Sequence, residues 1–146
     1  MSQASLPCIS LQTWCSAPIS TTTTTPRASS PCAPDMTIPT FHDPEGGKLR
    51  GTNTIHLLEV GKLRVAHFGD LGCPLTPLQR ADLLHLDVAM VPVGGYYTIG
   101  PEEAKALIDD LQPKVVIPMH YRMGQVGLPA VGEVEDFLSL VDDYVY

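Results

Sequence analysis

The stretch Val65-Ala-His-Phe-Gly-Asp-Leu-Gly72 combines an apolar strand with an aspartate held in a glycine-bounded turn. Two histidines, His42 and His120, likewise follow short apolar runs. Imidazole and carboxylate groups on loops just past buried strands are the ligand types that bind zinc and similar divalent ions. Because several strands of one sheet can end at one rim, we predict that Asp70, His42 and His120 converge on a metal site.

Each of these residues also has a purely structural interpretation. An aspartate in a tight turn can accept backbone N–H bonds, and a single histidine at a strand end is often a hydrogen-bonded core residue. An unpaired charge after a buried strand would be costly, which favours a partner for Asp70. His67, three residues earlier, could support the loop or a bound metal. The pattern of three ligand types on three strand ends favours the metal site.

The Gly94-Gly95 turn is a second candidate feature. It follows the apolar run Val88-Ala-Met-Val-Pro-Val93, at a place where open α/β sheets often bind ligands. Tyr96 or Tyr97 could line a pocket there, and both could equally be packing residues. The turn therefore predicts a pocket next to the strand end, without deciding which tyrosine lines it.

Composition divides the chain into two parts. Residues 1–36 hold five prolines, no glycine and the run Thr21 to Thr25, with no sustained period of 2 or 3.6. That composition is typical of an irregular or disordered segment. Residues 37–146 have the pattern of a globular α/β domain.

Local signals predict the element order β-β-α-β-α-β-α from residue 54 onward. Gly61-Lys62 marks a hairpin turn, Thr76-Pro-Leu-Gln79 is a capping box, and Gly100-Pro-Glu-Glu103 opens a helix. The predicted strands cover residues 54–60, 63–68, 88–93 and 114–119, and the predicted helices cover 76–84, 100–111 and 134–144. A sheet covered by helices follows from this order.

Charge and cysteine spacing limit the class of partner. The net charge of −7 argues against nucleic acid, because no basic stripe exists to neutralise phosphates. Neither an apolar run of about 20 residues nor a secretory signal is present, so no membrane partner is expected. Four cysteines without C-x-x-C spacing indicate free thiols in a reducing compartment, and we expect a cytoplasmic protein acting on a small molecule. Lys48 and Arg50, the cations near His42, could meet an anionic substrate or simply be solvated.

Five motifs, in this order, resemble the metallo-β-lactamase superfamily. The motifs are Pro39-Thr-Phe-His-Asp43, Gly51-Thr-Asn-Thr-Ile55, His67-Phe-Gly-Asp-Leu-Gly72, Pro92-Val-Gly-Gly95 and Val116-Ile-Pro-Met-His-Tyr121. The resemblance covers residues 37–146 and is to the small zinc-dependent hydrolases akin to the ascorbate-6-phosphate lactonase group. It implies the C-terminal part of an αββα sandwich, and a site for up to two zinc or manganese ions between the sheets.

The resemblance also implies roles for individual residues. His42 matches the third histidine of the family's first metal site, Asp70 the bridging aspartate, and His120 the last histidine of the second site. The metal-activated hydroxide would attack an ester, lactone, amide or phosphodiester, with Asp70 as the catalytic carboxylate that places the ions and accepts a proton. The pocket and supporting residues are expected to be the following: His67, Gly94, Gly95, Tyr96 and Tyr121.

The chain departs from the family upstream of His42, where no His-x-His-x-Asp-His motif precedes it. Three ligands for two ions predict weak coordination and little hydrolysis, so the chain is expected to be a truncated, impaired family member. One hypothesis is that Thr21 to Thr25 are an out-of-frame translation of that motif. His and Asp codons can end in AC, and a reading frame that starts one base later reads this AC as the start of a threonine codon. Two other interpretations stay open: a non-catalytic remnant or binding module of the same fold, and a homo-oligomer in which another chain completes the site.

Overall fold

One mixed sheet organises the structure, and every strand in it lies beside its neighbour in sequence. The computed structural model describes residues 36–145. Its strands are β1 (Met36–Phe41), β2 (Thr52–Val60), β3 (Leu63–His67), β4 (Val88–Pro92) and β5 (Val115–Met119). Its helices are α1 (Pro77–Asp82), α2 (Pro101–Leu111) and α3 (Val134–Leu138). The predicted α/β class and the predicted order of elements are confirmed.

Strand direction brings four loops to one edge of the sheet. β2 runs antiparallel to both β1 and β3, whereas β3, β4 and β5 are mutually parallel. β1, β3, β4 and β5 therefore all point the same way, and their carboxyl ends share one edge. The loops that follow these four strands meet there, so the predicted convergence of strand ends is confirmed.

The β2–β3 hairpin turns at Gly61-Lys62 as predicted, with Val60 paired to Leu63. Alternate side chains of β2, such as Ile55 and Leu57, point into the core because strand side chains alternate between faces. The buried apolar cluster joins this face of the sheet to the helices. Its members are Ile38, Ile55, Leu57, Ala66, Phe68, Leu71, Leu75, Leu83, Leu86, Ala89, Val91, Val93, Ile99, Ala104, Leu111 and Phe137.

Helix α1 begins at the predicted capping box. The Thr76 hydroxyl accepts a hydrogen bond from the Gln79 backbone, and the Gln79 side chain accepts one from the Thr76 backbone. The Gln79 amide also donates to the Pro39 carbonyl at 2.7 Å, which ties the helix to β1. The helix ends at Asp82, slightly before the predicted end, and His85 then adopts a left-handed backbone conformation that no helix can continue.

Helix α2 also follows its predicted pattern. The Glu103 carboxylate accepts a hydrogen bond from the Gly100 backbone at 2.8 Å, and Ala104 and Leu111 are buried on the core side. Gln112 ends the helix in a left-handed conformation, with its N–H donating to the Ile108 carbonyl. None of the helices between residues 36 and 145 has the length and hydropathy of a bilayer-spanning segment.

Helix α3 is shorter than predicted. It ends at Leu138, whereas the sequence predicted a helix to about Tyr144. The next N–H groups, of Leu140 and Val141, bond to carbonyls three residues back, which tightens the chain into a final turn. The acidic pair Asp142-Asp143 would face the negative end of a longer helix, and this repulsion favours the early end.

The face of the sheet opposite the helices carries accessible apolar side chains at both edges. Phe41 on β1 is 41% exposed, and Val115 and Ile117 on β5 are 52% and 43% exposed. Within the described residues the sandwich is thus represented by one sheet and its helices, as the resemblance implied. The predicted irregular segment, residues 1–36, reaches one residue too far, because Met36 begins β1. Its other residues and the out-of-frame hypothesis lie outside the described range and stay predictions.

Candidate metal centre

The three predicted ligands line one cavity at the shared edge of the sheet. His42 follows β1, Asp70 follows β3 and His120 follows β5, and all three border a cavity of about 440 Å³. The other lining residues come from the loops after β4 and β5. They are Gly95, Tyr97, Thr98, Tyr121, Leu128 and Val131. Residues far apart in the chain therefore line one cavity, and their role as metal ligands stays a prediction.

Asp70 and His120 form the polar contact at the centre of this cavity. The Nδ1 atom of His120 lies 3.0 Å from Oδ1 of Asp70, and both side chains are roughly half exposed. His120 has φ of 54°, a left-handed conformation that is uncommon for a residue other than glycine and recurs at functional sites. A Cβ atom at Gly94 would lie 2.1 Å from the His120 carbonyl oxygen, so only glycine fits beneath this turn.

The Asp70 loop is held by a buried amide on β2. Asn53 is 9% exposed, and its Oδ1 accepts a hydrogen bond from the Asp70 backbone N–H at 2.9 Å. Its Nδ2 donates to the Thr40 hydroxyl at 2.8 Å and to the Phe68 carbonyl at 2.9 Å. Gly69 has φ of 60°, and a Cβ atom there would lie 2.5 Å from Asn53 Oδ1. One side chain thus joins β1, β2 and the loop after β3.

His42 presents a buried nitrogen without a partner. Its Nε2 is the buried side-chain polar atom among residues 36–145 that makes no hydrogen bond, although buried polar groups are nearly always bonded. Its backbone N–H donates to the Gly51 carbonyl at 3.1 Å. A Cβ atom at Gly72 would lie 2.4 Å from the His42 carbonyl, so the Asp70 loop packs directly on the His42 backbone. An orphaned imidazole nitrogen beside a cavity is the expected state of a ligand-binding histidine.

Asp43 organises the loop that carries His42. Its buried carboxylate accepts four backbone hydrogen bonds, at 2.9 Å from Glu45, 3.0 Å from Gly47, 3.1 Å from Leu49 and 2.7 Å from Arg50. Burial by itself would raise the pKa of Asp43, but these four donors outweigh it and lower the pKa. The carboxylate is therefore ionised at neutral pH and fixes the shape of the whole loop.

His67 supports the same edge from within β3. Its Nδ1 accepts a hydrogen bond from the Gly69 backbone at 3.1 Å, which places the ring proton on Nε2. Burial lowers the pKa of His67, the nearby His56 and His120 lower it further, and Asp70 opposes them. The imidazole is neutral at pH 7 and its recorded contact is to the loop, so it has the supporting position predicted for it.

The tyrosine prediction needs a correction. Tyr96 was expected in the pocket, but it is 64% exposed and does not line the cavity, whereas Tyr97 does. The exposed position of Tyr96 follows from its left-handed backbone, with φ of 58°. The Tyr96 ring stands edge-on to the Tyr97 ring, with 4.6 Å between the two ring centres. The guanidinium carbon of Arg50 lies 5.6 Å from the centre of the Tyr97 ring.

Comparison with known proteins now gives the family. A model described as the Beta-lactamase superfamily domain matches residues 36–120. The chain belongs to the beta-lactamase superfamily. A metallo-beta-lactamase superfamily protein from Thermotoga maritima superposes with a TM-score of 0.64 and 44% identity, over 74% of this chain and 52% of that one. The predicted resemblance to the metallo-β-lactamase superfamily is confirmed.

Several relatives of this superfamily member are named UPF0173 metal-dependent hydrolase. The protein from Thermococcus onnurineus is 30% identical over 109 residues, which is 73% of this chain and 47% of that protein. The protein from Deinococcus radiodurans is 37% identical over 91 residues, which is 61% of this chain and 40% of that protein. Igni18, a metallo hydrolase from Ignicoccus hospitalis, superposes with a TM-score of 0.53 and 27% identity, over 71% of this chain and 43% of that one. The chain thus spans about half the length of the relatives it matches.

The donor set of this superfamily member fits a divalent ion in type and falls short in number. Two imidazoles and a carboxylate are ordinary zinc ligands, and the orphaned His42 nitrogen lacks only a partner. Yet among residues 36–145 no three His, Cys, Asp or Glu side chains stand close enough to hold an ion together. Asp70 and His120 instead contact each other. The described residues thus bring three side chains of metal-binding type to one cavity, and a metal pair would need further ligands.

Several site residues escaped the sequence prediction. Asn53, Thr98, Leu128 and Val131 carried no predicted role. Asn53 had one usable signal, because it occupies an inward-facing position of β2 in line with Ile55. A polar residue at such a position needs buried hydrogen bonds. One of those that Asn53 makes is with the Asp70 backbone N–H. The two apolar residues come from the long loop after β5, where no periodic pattern exists.

Proposed function

We propose that this chain is a metal-dependent hydrolase of the beta-lactamase superfamily in which His42, Asp70 and His120 bind the ion. The observation that carries the proposal is the buried, unpartnered Nε2 of His42 on the same cavity as the Asp70–His120 pair. The metal-dependent names of the relatives support it. The cavity volume of about 440 Å³ suits a small-molecule substrate.

The residues divide the chemistry among them. His42 would bind the ion through Nε2. His120 would also bind it through Nε2, because its Nδ1 faces Asp70. When bound, a zinc or manganese ion would lower the pKa of a water molecule and polarise the ester, lactone, amide or phosphodiester under attack. Asp70 contacts His120 through Oδ1, which leaves Oδ2 to accept a proton. Because the ligands are few, we propose slow hydrolysis for this chain.

Metal uptake tests the proposal. Purified protein is stripped with chelator, equilibrated with Zn²⁺ or Mn²⁺, desalted and measured by elemental analysis. We expect about one bound equivalent, lost in His42→Ala and Asp70→Asn, since each removes a ligand. Asp142→Asn, an exposed carboxylate outside the cavity, is the matched control and should bind as the wild type does. Uptake that is unaffected by His42→Ala would refute the assignment of this ligand.

A second candidate is a non-catalytic binding module of the same fold. It is favoured by the Asp70–His120 contact, in which two proposed ligands satisfy each other without an ion, and by the lack of a three-donor cluster among residues 36–145. The two candidates differ in the same experiment. Absence of bound metal, together with no hydrolysis of bis(4-nitrophenyl) phosphate or 4-nitrophenyl acetate, supports the binding module.

A further inference from the structure

The loop between β1 and β2 fixes the backbone of Arg50 beside the cavity, and the exposed Arg50 side chain is not among the lining residues. The Arg50 backbone N–H donates to Asp43 Oδ2 at 2.7 Å, and the adjacent Gly51 carbonyl accepts from the His42 N–H. The backbone that carries Arg50 is therefore anchored by the same buried carboxylate that shapes the His42 loop. Its guanidinium lies over the ring of Tyr97, which lines the cavity. This places a cation beside the cavity wall.

Within residues 36–145, no carboxylate pairs with the Arg50 guanidinium. Among the arginines of residues 36–145, Arg80 and Arg122 pair with carboxylates, and Arg64 donates to backbone carbonyls. For Arg50 the recorded side-chain contact within the same residues is the Tyr97 ring. Of the two acids on this loop, Asp43 is fully occupied by backbone donors and Glu45 is exposed.

We propose that Arg50, held on Tyr97, is the substrate-recognition residue of this cavity, and that the substrate carries a carboxylate or phosphate group on an apolar body. The inference rests on the proposed function for its site. A guanidinium recognises both oxyanions through paired N–H donors. The remaining wall is largely apolar, with Tyr121, Leu128 and Val131. An oxyanion would then bind at Arg50 while the apolar body fills the cavity.

Binding of small probes to metal-free protein tests this without relying on hydrolysis. Chelator-treated, ¹⁵N-labelled protein is titrated at low ionic strength with 3-phenylpropionate, phenyl phosphate and the neutral 3-phenylpropanamide. We expect at least one anion to bind about tenfold tighter than the amide, which is the effect of one charge-assisted contact. The amide signals of Tyr97 and Thr98 should shift, and comparing the two anions tells carboxylate from phosphate.

Two variants assign the effect to a residue. Arg50→Gln should bring the preference for the anion down to about twofold or less, whereas Lys48→Gln, on the same loop and equally charged, should keep the wild-type preference. Equal affinity for anions and amide in the wild type would overturn the proposal. So would an anion preference that survives Arg50→Gln or disappears in Lys48→Gln. Because no metal is present, failure here leaves the zinc site standing, and a chain that takes up no zinc can still show this preference.

Discussion

Replacing Asn53 with alanine tests whether one buried amide holds both the sheet edge and the Asp70 loop. The variant removes three hydrogen bonds, to the Thr40 hydroxyl, the Phe68 carbonyl and the Asp70 N–H. Thr40 and Phe68 are buried, at 2% and 0% exposure, so water cannot replace those two partners. Asp70 is exposed, and its N–H can bond to solvent instead.

The size of the effect follows from this difference in burial. Each buried group left without a partner costs about 1–3 kcal/mol, and a solvent-accessible N–H costs little. The Thr40 hydroxyl can rotate toward another acceptor, so the free-energy cost of its lost hydrogen bond should lie at the lower end of that range. We therefore expect Asn53→Ala to lower the free energy of unfolding by about 2–4 kcal/mol. Equilibrium unfolding in urea measures this as a lower midpoint with an unchanged slope.

A matched variant and a second measurement separate the alternatives. Thr54→Val changes the neighbouring residue on the opposite face of β2, keeps strand propensity and should stay within about 0.5 kcal/mol of wild type. Zinc uptake by folded Asn53→Ala should fall about tenfold or more, since residues that orient metal ligands have effects of that size. A loss of stability below about 1 kcal/mol would refute the buried network. A large loss of stability with unchanged zinc affinity would show that Asn53 supports the fold and not the site.

Two further predictions concern steric fit and pH. Gly94→Ala should lower the free energy of unfolding by about 1–3 kcal/mol and weaken zinc uptake, because the added Cβ would lie 2.1 Å from the His120 carbonyl oxygen; urea unfolding and elemental analysis measure both. Asp87→Asn should lower the urea midpoint at pH 6, and this difference from wild type should shrink as the pH falls below about 4. The Lys114 ammonium, 2.7 Å away, is the main cause that lowers the pKa of Asp87 in the folded chain.

The pH dependence expected for Asp87→Asn follows from the lowered pKa of Asp87 in the folded chain. An aspartate with a lowered folded-state pKa stabilises the fold above its unfolded pKa, and that contribution disappears as the pH falls through the folded value. Asp82→Asn replaces an exposed acid and should stay within about 0.5 kcal/mol of wild type at pH 6. Gly100→Ala adds a Cβ whose nearest neighbours are 3.9 Å away, so its cost should be only the lower preference for alanine at the N-cap of α2, about 0.5–1 kcal/mol. Gly94→Ala behaving like Gly100→Ala, or an Asp87→Asn difference that grows in acid, would contradict the reasoning.

Local signals were enough to predict most of the fold. The hairpin turn at Gly61-Lys62 and the capping box from Thr76 to Gln79 act within a few residues, so the sequence itself displays them. The end of α3 was predicted too late, because no glycine or proline after Leu138 marks it. Boundaries of this kind depend on weak, summed effects that a pattern does not display.

The site was predictable where it depends on strand ends and unpredictable where it depends on long-range contacts. Asp70 and His120 could be placed because each follows an apolar strand, and the parallel strand directions then bring them to one edge. The choice of Tyr97 over Tyr96 depends on one backbone angle, which two adjacent tyrosines in a loop do not reveal. The contact between Arg50 and Tyr97 joins two loops, and no local pattern encodes it.

Each proposed ligand is positioned by neighbours that involve no metal. Asn53 holds the Asp70 backbone, Gly94 lies beneath His120, and the Gly51 carbonyl accepts from the His42 N–H. Since these contacts are hydrogen bonds and close packing within the sheet edge, the cavity should persist when no ion is bound. The weak point of the site is therefore the number and the spacing of its donors, since no three of them within residues 36–145 stand close enough to hold an ion together. It follows that added ligands, from further chain or from a second copy, should raise metal affinity if they bind an ion together with one or two of the donors that these loops already hold in place.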